Sequence, residues 1–193
     1  MKLRSGVAMA AALLGMGEAA AQTADFKCAE PGTAVEYSNL RKTAWAWPED
    51  DHCRLFIQGS GMLDGYLAWY APTIELSGHQ LETFPVQVKP RALWPLAVNK
   101  TIAARYFGPS QRSSRTLVTI DLSYRVERYE RLDTSAGRFD AFLVVARQKA
   151  IGGSSEIVLR EWYAPSPGVI VKYDYRQADG GGEVAEATSI SRR

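Results

Sequence analysis

Between Val118 and Glu127 apolar and polar residues alternate without a break. Val118, Ile120, Leu122, Tyr124 and Val126 take one side, and Thr119, Asp121, Ser123, Arg125 and Glu127 take the other. A period of two is the signature of a pleated strand, because a helix would group residues three and four apart. The pattern requires a sheet with one covered face and one wet face, the usual state of an antiparallel sheet. Val169, Val171, Tyr173 and Tyr175 repeat it against Lys172, Asp174 and Arg176. Phe139 to Ala146, by contrast, is apolar on both sides, which predicts a strand that is central in its sheet or faces a cavity.

β-Branched and aromatic residues between turn residues predict further strands over Ala34–Ser38, Lys42–Trp47, His52–Gln58, Leu63–Ala71, His79–Val88, Thr101–Phe107, Ile157–Ala164 and Val184–Ile190. Gly108 to Ser114 is polar and reads as a loop. Trp162 and Tyr163 should point to opposite faces, and Pro165 should end their strand. Pro167-Gly168 suits the centre of a type II turn, and Ser135-Ala136-Gly137 a turn that launches Phe139. The fold class that follows is mainly β. It is a single antiparallel, strongly curved sheet of about ten strands, a half-barrel or open barrel, with little helix beyond the N-terminal leader.

That leader is residues 1–21. Lys2 and Arg4 precede an apolar run from Val7 to Met16, and Ala19, Ala20 and Ala21 supply a small-residue cleavage site. The run is about half the 20 residues needed to span a bilayer. The expectation is export to the periplasm or beyond, cleavage after Ala21, and one β-domain over residues 22–193 with no integral membrane segment. Removing Lys2, Arg4 and Glu18 from 23 basic and 21 acidic residues leaves 21 and 20. So balanced a surface has no field to attract nucleic acid. Cys28 and Cys53 are the two cysteines, and in an exported chain they most simply form one disulfide.

The sequence holds no pattern that requires chemistry. His52 and His79 sit in no metal-binding or nucleophile-elbow motif. Glu49-Asp50-Asp51 lacks the alternate-position oxygens of a calcium loop and reads as a solvated turn. Asp121, Glu127 and Glu130 lie near Arg125, Arg128 and Arg131, which predicts cross-strand ion pairs that contribute little. No metal, cofactor or catalytic residue is expected, and a hydrolase with a dispersed site is a distant third class. Trp69-Tyr70-Ala71-Pro72 recurs as Trp162-Tyr163-Ala164-Pro165, but the flanks differ and coincidence explains the echo better than duplication.

Three segments carry a resemblance: Leu93-Trp94-Pro95-Leu96-Ala97-Val98-Asn99-Lys100, Ala136-Gly137-Arg138-Phe139-Asp140-Ala141-Phe142 and Trp162-Tyr163-Ala164-Pro165. In this order they resemble a group of exported bacterial β-domains of unassigned function. Those domains are in turn similar to the half-barrel of periplasmic lipoprotein carriers of the LolA/LolB type. The pattern favours Gly where this chain has Asn99, and Asn is the next-best residue for a left-handed turn. The carriers' helical lid has no counterpart in this sequence. The resemblance implies a half-barrel that shelters an apolar or lipidic cargo.

The aromatic supply gives that implication candidate residues: Trp45, Trp47, Trp69, Phe84, Trp94, Phe142, Trp162 and Tyr163. Trp45 and Trp47 are expected on one strand face. Two functions then compete. In one, these side chains line a concave site for an apolar small molecule, a lipid or a lipoprotein. In the other they form a closed core, and the domain is a structural element or docks another envelope protein.

Overall fold

The computed structural model describes residues 22–49, 52–57, 61–65, 90–110, 113–153 and 156–192. The proposed leader, Trp69, Phe84, the Trp69–Pro72 echo and the strand expected over His79–Val88 lie outside these residues. Twelve strands are described: β1 (Thr23–Ala24), β2 (Thr33–Tyr37), β3 (Lys42–Glu49), β4 (His52–Ile57), β5 (Gly61–Gly65), β6 (Leu96–Ala97), β7 (Thr101–Ser110), β8 (Ser113–Thr134), β9 (Gly137–Ala150), β10 (Glu156–Ala164), β11 (Val169–Gln177) and β12 (Gly182–Arg192). A short 3₁₀ turn at Pro90–Leu93 is the helical element among the described residues.

Ten strands form one antiparallel sheet in the order β5-β4-β3-β2-β12-β11-β10-β9-β8-β7, and β1 pairs separately with β6. The sheet does not close on itself, so it is an open half-barrel, as the alternation predicts. Two runs of hairpins, β2 to β5 and β7 to β12, are joined where β12 pairs with β2. The segment expected to loop at Gly108 to Ser114 is instead mostly strand. Gly108 pairs with Val118 and Pro109 with Leu117. β7 ends the described sheet, and an edge strand tolerates a proline that a central one would not.

The centre of the sheet is buried on both faces. Ala141 to Val145 of β9 and Glu161 to Ala164 of β10 are all buried, as the doubly apolar stretch requires. In register, Phe142, Val144 and Ala146 stand beside Tyr163, Glu161 and Leu159, while Leu143 and Val145 stand beside Trp162 and Arg160. Each set needs its own cover.

The Tyr163 side is covered by residues 22–30, which run as a strap over the sheet. β1 ties the strap to β6, and a disulfide ties Cys28 to Cys53 in β4, with Cα atoms 5.6 Å apart. Phe26 meets Trp94 edge-on at 5.7 Å between ring centroids, and Trp94 meets Tyr163 edge-on at 5.4 Å. Leu93 and Leu96, both fully buried, complete this layer. The Lys100 ammonium donates to the carbonyls of Trp94 (2.9 Å) and Pro95 (3.1 Å) and so holds the segment down. Asn99 takes the expected left-handed conformation, with φ of 73°.

The Trp162 side is covered differently. A register shift between Val126 and Arg128 breaks the alternation of β8. Beyond it the β8–β9 hairpin crosses β10 and β11 to reach β12, where Ala136 N–H donates to the Ala187 carbonyl at 3.0 Å. Leu132, Ala136 and Phe139 from this hairpin pack on the core. Nearer the middle of the strands, Val145 is flanked in register by Arg125 and Arg160, whose aliphatic stems can shield it.

The turn at Pro167-Gly168 departs from expectation. Ala164 pairs directly with Val169, so four residues form the loop, and Gly168 N–H donates to the Ala164 carbonyl at 2.9 Å. Gly168 is still the left-handed residue, with φ of 71°. The strap explains why the loop needs a glycine as well as a positive φ. A Cβ on Gly168 would lie 3.1 Å from the Ala29 nitrogen and 3.2 Å from its Cα. Gly168→Ala therefore combines about 1–2 kcal/mol of left-handed strain with a clash against the strap backbone. Urea unfolding of the disulfide-bonded protein should show it destabilised by roughly 1.5–3 kcal/mol, whereas Gly152→Ala, whose Cβ meets nothing within 4 Å, should lose only the strain.

Candidate functional site

On the strap side of the sheet, next to the covered Tyr163, a partly open cavity of about 300 Å³ remains. β10 contributes Leu159 and Glu161 to its wall, and β11 contributes Ile170, Tyr173 and Tyr175. Tyr37, Arg41 and Thr43 enter from the β2–β3 hairpin, and Glu183 from β12. These residues meet because the strands stand in register. Glu161 pairs with Tyr173 and Leu159 with Tyr175 across β10–β11, while Tyr175 pairs with Glu183 across β11–β12. A register shift between Trp162 and Tyr163 leaves Ile170 opposite Tyr163, which turns Ile170 to the same face. Ala187 opposite Tyr37 then brings the N-terminal hairpin alongside.

Hydrogen bonds fix the tyrosines. Tyr37 donates its hydroxyl to the Ile170 carbonyl at 2.9 Å, which locks β2 across to β11, and its ring meets Tyr173 at 5.5 Å. Asn39 donates its side-chain amide to the Tyr173 hydroxyl at 2.6 Å and also to Glu183. The Tyr173 hydroxyl donates in turn to Glu183 Oε2 at 3.4 Å. The Arg41 guanidinium carbon stands 5.8 Å from the centroid of the Tyr173 ring. Burial raises the Tyr173 hydroxyl above the ordinary tyrosine range, against the opposing pull of Arg41 and Asn39. Gln177 donates to the Tyr175 hydroxyl at 2.7 Å. The wall is mainly apolar ring and aliphatic surface, with a few polar groups converging on it, which is the usual make-up of a small-ligand site.

Five of the aromatic residues singled out from the sequence can be placed, and they lie elsewhere. Trp45, Trp94, Phe142, Trp162 and Tyr163 are all buried, and none of them lines the cavity. Phe142 and Tyr163 face the strap side together, with Tyr129 stacked on Phe142 at 4.6 Å. Trp162 points to the other face, as expected from its neighbour. There it donates its indole N–H to Glu130 Oε1 at 2.7 Å and carries the Lys172 ammonium 5.2 Å from its ring centroid. Burial by itself opposes the charged form of Glu130, but Trp162, Arg128 and Lys172 together hold its carboxyl below the usual range. The register of β3 against β4 shifts by one residue between Trp45 and Trp47. Trp69 and Phe84 are outside the described residues.

Cross-strand ion pairs form as a class, among them Arg105–Asp121 at 2.6 Å, Arg131–Asp140 at 3.2 Å and Arg147–Glu156 at 3.4 Å, with Asp121 and Arg131 paired to residues outside the expected group. All are exposed and contribute little. Among the described residues no group of three or more His, Cys, Asp and Glu side chains is placed to hold a metal, and no helix is long and apolar enough to cross a membrane.

The fold and cavity thus define a class: an open antiparallel half-barrel with a disulfide-anchored N-terminal strap and a tyrosine-lined hollow beside it. No protein-family model matches the chain, and no curated protein matches it significantly. Two solved structures are similar to it. One is a candidate exported protein with a YmcC-like fold from Bacteroides fragilis, 11% identical, with a TM-score of 0.39 over 88% of this chain and 100% of that one. The other is a candidate lipoprotein from Parabacteroides distasonis, 10% identical, with a TM-score of 0.40 over 88% of this chain and 100% of that one.

Tyr163 links the strap to solution conditions. Its hydroxyl donates to the Lys27 carbonyl at 3.4 Å, and burial raises it well above the ordinary tyrosine range. The unfolded chain releases this proton near pH 10, and the folded chain only at higher pH. The folded state therefore keeps its full advantage below about pH 10 and loses it progressively as pH climbs from there towards the folded value. Unfolding free energy measured against pH should fall on this alkaline limb, and Tyr163→Phe should make the limb shallower, leaving the part due to Tyr129 and Tyr173.

Proposed function

We propose that the protein is a bacterial envelope domain that binds, without chemistry, a small lipidic or amphipathic molecule whose apolar part enters the cavity. The observation that supports this most directly is the cavity's wall, in which Leu159, Ile170 and the rings of Tyr37, Tyr173 and Tyr175 surround about 300 Å³ while a few polar groups converge. Each 100 Å² of apolar ligand surface buried there would contribute about 2.5 kcal/mol before the costs of association. An envelope location is supported by the leader-like N-terminus and by the Cys28–Cys53 disulfide, which suits an oxidising compartment. The resemblance to lipoprotein carriers carried by the three sequence segments belongs to the same reading, since their half-barrels also shelter apolar cargo.

A second reading has its own support. The burial of Trp45, Trp94, Phe142, Trp162 and Tyr163 favours a structural or protein-docking domain with a closed aromatic core. The two readings differ in one experiment. Protein purified from an envelope under mild conditions is examined by native mass spectrometry for a bound small molecule, beside Leu159→Trp, which fills the cavity. The binding reading expects an adduct on the wild type and none on a folded Leu159→Trp protein. An unliganded wild type that also fails to bind added envelope lipid favours the closed-core reading.

A further inference from the structure

We infer that the polar end of the ligand is an ammonium group, held against the carboxylates and tyrosine rings of the cavity. The inference rests on the proposed binding role and names the chemistry that the same site selects. Three charged side chains stand on the described wall, and two of them are carboxylates, Glu161 and Glu183. Glu161 is only 4% exposed and sits on β10 between Leu159 and Tyr163, so a carboxyl group is placed within the sheet's core. A carboxylate has about four acceptor positions, and it can take a further N–H donor in addition to an existing partner. Glu183 reaches the same hollow from β12, where Asn39 and Tyr173 hold its oxygens in place.

The tyrosines add to this selection. An aromatic ring presents a negative face, and cations within about 6 Å of its centroid are attracted, most strongly where water is excluded. Tyr173 already carries a guanidinium over its ring, Arg41 at 5.8 Å. Three tyrosines around one hollow, with carboxylates beside them, form the arrangement that recognises alkylated ammonium groups. Among the described lining residues Arg41 is the opposing charge, and it lies exposed in the β2–β3 turn rather than in the sheet. A buried carboxylate would meet an acidic or phosphate head with repulsion. At about 30 Å³ per group, the cavity has room for on the order of ten heavy atoms, enough for an ammonium head and a short alkyl chain.

The test uses the purified, disulfide-bonded protein and four probes of one chain length: hexylammonium, hexyltrimethylammonium, hexan-1-ol and hexanoate. Affinities are measured by calorimetry. Both ammonium probes should bind at least tenfold tighter than the alcohol, and hexanoate should bind most weakly. Glu183→Gln, at an exposed position, should remove much of that preference. Glu161→Gln should do the same if the protein folds. Equal binding of ammonium and alcohol, or tighter binding of hexanoate through Arg41, overturns the ammonium inference and leaves the cavity as a binding site. If no probe binds and Leu159→Trp changes nothing, the binding role fails with it.

Discussion

Everything in this half-barrel depends on β9 and β10 being apolar on both faces where they pair. A sheet with one wet face needs one cover, but a ladder that buries Phe142 and Tyr163 on one side and Leu143 and Trp162 on the other needs two. The chain supplies them from its N-terminal segment and from a mid-chain hairpin. Residues 22–30 close one side as a strap, and the β8–β9 hairpin bends over the other. Neither cover is a helix. The strap is short and has little secondary structure of its own, so the disulfide to Cys53 is the means of keeping it in place. For a link with a sequence separation of 25, the chain-entropy model gives about 3–4 kcal/mol.

The cavity follows from the same constraint. The strap covers the Tyr163 end of β10 and stops short of Leu159 and Glu161. Those two residues, with the strand neighbours Tyr173 and Tyr175, therefore face a hollow instead of a packed layer. Tyr37 reaches across to the Ile170 carbonyl and keeps the N-terminal hairpin from collapsing into the space. The hollow and the stability of the fold are thus set by neighbouring positions on one strand.

Much of the fold is legible in the sequence because strand alternation is a local property. Val118 to Val126, the opposed Trp162 and Tyr163, the left-handed Asn99 and the disulfide can all be read without knowing what they touch. The register shifts cannot, because they arise where a strand adjusts to a distant partner. The shift after Val126 sits where Lys100 pairs across to it, and the shift between Trp162 and Tyr163 sits beside the four-residue loop. The candidate site was least legible. Tryptophans attract attention by size, yet Trp45, Trp94 and Trp162 are buried in the fold. Tyr37 joins Tyr173 and Tyr175 only through the β12–β2 pairing, which links the two ends of the chain. One signal was available: Glu161 alternates with Leu159 and Tyr163, and a carboxylate on a buried face calls for a reason.

The account's central claim is that the tyrosine hollow, and not the tryptophan core, is where a ligand meets this protein. Side-chain chemical shifts recorded during titration with envelope lipid extract separate the two directly. The account predicts saturable changes at Tyr37, Tyr173, Tyr175 and Leu159, with the indole N–H of Trp162 unmoved. Changes centred on Trp162, Trp94 or Trp45 with the cavity tyrosines silent, or no change anywhere, would contradict it.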